Sequence, residues 1–179
     1  MKRLCLMLFA ALAVALGLAG CASQRISDYA GVQPELSLER YFVGKTQAWG
    51  MFQKRGGQVV RRFHVDINGR MEDGKLILDE DFTYDDGSKE TRTWVLQRNN
   101  QGGWTGTAGD VVGQAQGELA GNAFHWRYTL ALPVDGTVYN VNLDDWMYLM
   151  DKDTLINRAT MSKFGVELGQ ITLFFRKVQ

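Results

Sequence analysis

The sequence predicts an all-β protein: one up-and-down antiparallel barrel of about ten strands, with a short helical turn near residues 37–42. Three observations predict it. Run after run alternates at period two, as where Phe124, Trp126, Tyr128, Leu130 and Leu132 interleave with His125, Arg127 and Thr129; a strand sends such neighbours to opposite faces. The runs are punctuated by Asn68-Gly69, Asp73-Gly74, Asp86-Gly87, Gly121-Asn122 and Asp135-Gly136, pairs that supply the positive φ of tight hairpins. No helical period follows Phe42, and unbroken hairpin succession favours closure, which removes exposed sheet edges.

The chain opens differently. Lys2 and Arg3 precede an apolar run from Leu4 to Leu18, then Ala19-Gly20-Cys21, the three regions of an export signal. The run is shorter than the roughly 20 residues that span a bilayer. Leu18-Ala19-Gly20-Cys21 resembles a bacterial lipobox. That resemblance implies cleavage before Cys21, diacylglycerol on its sulfur and an N-acyl group on the new terminus; Ala22 in place of Asp implies passage to the outer membrane, facing the periplasm. Residues 1–20 are thus read as a leader, 21–36 as a lipidated terminus and polar tether carrying Pro34, and 37–179 as the barrel domain.

Removing residues 1–20 takes Lys2 and Arg3 away and leaves 159 residues with net charge −2. This is enough for one full core and excludes the basic excess of a nucleic-acid binder. With Cys5 in the leader and Cys21 acylated, the folded part has no cysteine, so packing alone must stabilise it. A monomer is expected.

Within the domain, Ser37 is placed to cap a turn over Leu38–Phe42 that would close one barrel end. Strands are predicted at 46–53, 59–67, 75–84, 90–99, 104–108, 111–119, 123–132, 137–149, 154–164 and 167–178. The inward phase holds Phe63, Val65 and Ile67 but also Arg61; Leu76, Leu78, Phe82 and Tyr84 but also Glu80; Val141, Leu143 and Met147 but also Asp145. Arg158 joins them if Ile156 and Phe164 define the inner face of their strand. A buried charge must pair, hydrate or lie near an opening. Arg61, Glu80, Asp145 and Arg158, with Trp94, Trp126 and Tyr128, are therefore the candidate ligand-binding residues, against the plainer reading of inward ion pairs or bulges. Arg61 would offer a fork to an acidic head group, with Glu80 and Asp145 holding it in the unliganded state.

Signatures of catalysis are missing: no HExxH, GxSxG or CxxC, and no spare cysteine. His64 and His125 fall on polar phases. Gly69–Lys75 has P-loop spacing but ends in Leu76 and joins strand to strand. Asp79-Glu80-Asp81 and Asp144-Asp145 lie on strands, where neighbours diverge, so no oxygen cage forms. No metal, cofactor or catalytic residue is assigned.

Leu132–Gly136, Asp144–Leu149, Asn157–Ala159 and Met161–Gly165, with Ala48-Trp49-Gly50, Val60–Phe63 and Trp104–Ala108, resemble the DUF3833 family of proteobacterial lipoproteins over roughly residues 38–178. The resemblance implies a calycin-like barrel and no settled activity. The expected function is to bind a fatty acid, lipid or other small hydrophobic molecule in the barrel. An envelope scaffold with a filled barrel is the alternative. An enzyme using Asp145, Glu80 or Lys163 as acid or base has the weakest support.

Overall fold

Ten antiparallel strands close on themselves in a computed structural model, which describes residues 23–178; the predicted leader and Cys21 lie outside the described residues. The strands are β1 (Gly44–Lys54), β2 (Val59–Glu72), β3 (Lys75–Tyr84), β4 (Lys89–Arg98), β5 (Trp104–Thr107), β6 (Val111–Ala120), β7 (Ala123–Val134), β8 (Thr137–Leu149), β9 (Thr154–Lys163) and β10 (Val166–Lys177). Each pairs with its sequence neighbours, and β1 closes the ring against β10 from Thr46↔Lys177 to Lys54↔Gly169. The predicted all-β up-and-down barrel is what forms, and its build is calycin-like.

Period-two patterning drives closure. Inward residues of successive strands make one core, including Val65, Ile67, Leu76, Leu78, Trp94, Leu96, Phe124 and Trp126. A second cluster joins Leu130, Val141, Leu143, Ala159 and Met161 on β7–β9. Asp73-Gly74 and Asp135-Gly136 have positive φ at both residues, the twist that two-residue hairpins need.

Asn68-Gly69 is not a turn. It lies inside β2, paired with Asp79 and Leu78. A Cβ on Gly69 would sit 1.9 Å from the Phe42 carbonyl oxygen, so glycine is needed there for close approach, not for a bend.

That approach seats α1 (Leu38–Phe42), as the sequence led us to expect. The Ser37 hydroxyl accepts from the Arg40 amide at 3.3 Å. Leu38 and Phe42 are buried and close one end of the barrel. The Lys177 ammonium donates to the carbonyls of Tyr41 and Val43 at 2.6 Å, satisfying groups that a helix end leaves open. Arg98 pairs with Glu39 at 2.9 Å.

The stretch read as a free tether is docked from Gln24 onward. A 3-10 turn at Ile26–Tyr29 lies on the wall, with Tyr29 5.9 Å from the outward Trp146 ring and Gln24 donating to the Tyr148 hydroxyl at 3.0 Å. The Leu36 amide donates to the Gly121 carbonyl at 2.8 Å, and the Leu36 side chain is buried. Apolar Tyr29 and Leu36 within a polar stretch account for the docking. Among the described residues, no helix is long and apolar enough to cross a membrane.

Candidate ligand-binding cavity

The barrel is not filled. A cavity of about 610 Å³ runs through it, from Leu38 and Phe42 at the α1 end to Val134 and Asp135 beside the β7–β8 turn. Both Val134 and Asp135 are exposed, so the cavity opens at the end away from α1. Its volume is within the roughly 300–1,000 Å³ of small-molecule pockets. The filled scaffold considered from sequence does not match this interior.

Aromatic groups build the wall. Trp94, on β4, meets Trp126 at 5.6 Å and Tyr128 at 5.3 Å, both edge-on from β7. Phe63 and Phe82 face each other at 5.9 Å nearer the mouth. Small residues make room for the largest rings: a Cβ on Gly117 would fall 2.4 Å from Trp126. At the rim, Val138, Tyr139, Phe164 and Val166 are exposed, Phe164 to 91%.

Polar groups interrupt this lining at mid-depth. Arg92 lies directly across from Glu80 in the β3–β4 ladder. Its guanidinium reaches Asp110, in the β5–β6 connection, at 2.8 Å. Arg92 Nε and Asp110 Oδ1 are buried without a hydrogen-bond partner among the described residues. Asp145, only 6% exposed, enters from β8 and accepts a hydrogen bond from the Asn157 amide, which also donates to the Trp146 carbonyl at 3.2 Å.

Enclosure sets the ionisation of these groups. Glu80 is half-buried and lines the cavity; desolvation pushes its carboxyl up to about 7, with Arg92 opposing and Asp110 adding. Desolvation likewise lifts Asp145 to about 7, opposed by the Asn157 hydrogen bond and helped by Asp144 and Glu80. Burial, with Asp145 beside it, raises the Tyr128 hydroxyl too. A carboxyl loses more than it gains when ionised in such a site.

Of the residues singled out from sequence, Glu80, Trp94, Trp126, Tyr128 and Asp145 share the cavity interior. Arg61 lines it only at the mouth and does not join Glu80 and Asp145. Its half-exposed guanidinium lies 3.7 Å over the Tyr84 ring, donates to the Ser88 hydroxyl at 3.1 Å and faces Asp86 at 3.7 Å. β2 runs on toward the turn at Arg61, so its inward phase there points at the opening. Arg158 is outside the barrel, donating to Gln170 at 2.7 Å. The inner phase of β9 is Leu155, Asn157, Ala159 and Met161, the opposite of that inferred from Ile156 and Phe164. Lys163 sits at the rim, 4.5 Å over the Tyr139 ring. Outside the cavity, His125 stacks on Trp146 and meets Asp144 at 3.0 Å.

Arg92 and Asp110 were missed. Arg92 shares the phase of Trp94 and Leu96, a signal the sequence carries. Asp110 is in a connection, where no periodicity marks it.

Among the described residues, no cluster of His, Cys, Asp or Glu could hold a metal ion. Among the described residues, no Ser, Thr, Cys, His or Lys side chain lines the cavity.

A profile described as "Protein of unknown function (DUF3833)" matches residues 15–177. No curated protein is detectably similar in sequence. Among solved structures, the S-type phycobiliprotein lyase CPES from Guillardia theta superposes with TM-score 0.57 at 9% identity, covering 88% of this chain and 99% of that one. A protein of unknown function of the DUF3598 family from Nostoc punctiforme superposes with TM-score 0.59 at 13% identity, covering 82% of this chain. The match takes in only 51% of the DUF3598 chain, about half its length. At such identities the likeness is one of fold.

Proposed function

Since the chain belongs to the DUF3833 family, whose function is unknown, we propose from its interior that it is a carrier of a small hydrophobic molecule, a lipid or similar amphiphile, held in the outer membrane through Cys21 and facing the periplasm. One observation carries the reading: an aromatic-lined cavity of about 610 Å³, open at one end. Burying a chain of ten methylenes there is worth about 8 kcal/mol before association costs. Carriage is favoured over catalysis because, among the described residues, the lining brings no Ser, Thr, Cys, His or Lys side chain to a base. The anchor rests on the lipobox resemblance, and the exposed rim of Val138, Phe164 and Val166 suits passage of an apolar guest.

The test is organic extraction and mass spectrometry of the full chain, isolated from its membrane in a bilayer-retaining polymer. The same is done for Ala159→Phe, which pushes a ring into the cavity from a residue buried in its wall. A stoichiometric apolar compound present in the wild type and absent from the variant is expected. Equal recovery from both would show that the compound comes from the bilayer.

A further inference from the structure

Deepening that reading and resting on it, we propose that the guest is an amphiphile with a protonated amine at its polar end, seated on the Glu80 and Asp145 carboxylates. The cavity is lined by five carboxyl groups, Glu80, Glu90, Asp110, Asp135 and Asp145, against two guanidinium groups, Arg61 and Arg92. Both cations are already engaged: Arg92 with Asp110 at 2.8 Å, Arg61 with Asp86 at 3.7 Å. Among the described residues, no side chain within ion-pair or hydrogen-bond distance reaches the Glu80 carboxyl. Asp145 has only the neutral Asn157 amide. So, among the described residues, Glu80 has to share the single Arg92 guanidinium with Asp110, and Asp145 has no cation, beneath the rings of Trp94, Trp126 and Tyr128.

An acid entering this space would set a third negative group beside two that are already costly to ionise. An ammonium has the opposite balance. It takes the place of the proton those carboxyls hold, donates hydrogen bonds that they can accept, and meets aromatic faces that favour cations. The cavity would thus select against a fatty acid, one of the guests admitted by the sequence, in favour of another.

The test is displacement of a neutral fluorescent dye from the full chain at pH 8 by three guests of equal length: dodecylamine, dodecanol and dodecanoate. The amine is expected to bind roughly 10-fold or more tighter than the alcohol, as a charge-assisted hydrogen bond provides, with dodecanoate weakest. Glu80→Gln and Asp145→Asn should each cut that preference of amine over alcohol several-fold. Lowering the pH to 5.5 should do the same to the wild type. The groups facing Glu80 are Arg92 on β4, Asp110, Tyr128 on β7 and Asp145 on β8, and the Asp145 carboxyl is likewise raised to about 7. Dodecanoate matching the amine, or variants that keep the full preference, would overturn the proposal. Dodecanol binding without an amine preference would sink it alone. If none of the three displaced the dye, the carrier reading would fall with it.

Discussion

Arg92 and Asp110 meet 2.8 Å apart inside the barrel, one from β4 and the other from the connection that follows the four-residue β5. The β5–β6 ladder joins only Trp104–Gly106 to Gly117–Ala115, so the pair ties the wall where backbone pairing is shortest. The Asp110 carbonyl also accepts from the Ala131 amide at 2.8 Å, fixing that connection to β7. Arg92→Met should leave Asp110 and Glu80 without their cation and cost about 3 kcal/mol, the lower end for a broken buried pair, because the cavity gives some access to water. Arg92→Met with Asp110→Leu should recover much of the loss. Urea unfolding of the two variants checks this; equal destabilisation would place the effect outside the pair.

Stability should fall as pH rises from about 4 to about 7. Glu80 and Asp145 hold their protons to about 7 in the folded barrel, above their ordinary values of 4.5 and 3.8. Over that interval the unfolded chain binds fewer protons than the native one, so their contribution is full below the unfolded values and lost as pH climbs through the native ones. In Glu80→Gln the slope should flatten, and the variant should be more stable than wild type at pH 8. Melting temperatures across pH 4–8 decide it, a wild-type slope unchanged in Glu80→Gln being the contrary result.

Gly69→Ala should dislodge α1, since the new methyl has no room against the Phe42 carbonyl. The expected cost is about 1–3 kcal/mol, typical of forced overpacking. Gly57→Ala is a poor control because φ is +86° there; Gly56→Ala, with open space around it, should cost far less. Thermal denaturation of both variants makes the comparison.

Cys21→Ala should abolish membrane attachment and leave an unprocessed precursor or a soluble product. Fractionation after cell breakage measures it, and normal sedimentation with the outer membrane would remove the anchor from the proposed function.

Most of the architecture was legible because β-barrels write themselves locally: alternation gives the faces, and Asp73-Gly74 and Asp135-Gly136 give the hairpins. The misreadings share a cause, which is that tertiary contact overrides local signal. Asn68-Gly69 has turn composition, yet its glycine serves α1, a helix 27 residues upstream of it. Ile156 lies outside although apolar, so β9 was assigned the wrong phase and Arg158 was brought indoors. The mid-cavity acids Glu80 and Asp145 were visible as charges on apolar faces, but their surroundings were not, since Asn157, which donates to Asp145, and Asp110, which holds the Arg92 opposite Glu80, come from distant segments. Arg61 showed the limit of phase: it names a face, and says nothing of depth along the barrel.

The docking of Gln24–Leu36 on the sealed end gives the molecule a polarity. Were Cys21 the attachment point, as proposed, the barrel would stand on its base like a cup, its brim turned outward. A wall of 13 residues, as in β8, tilted as barrel strands are, would lift that brim roughly 30 Å. Cargo would then change hands on the far side of the molecule from the leaflet that moors it, with whatever passes in the intervening space.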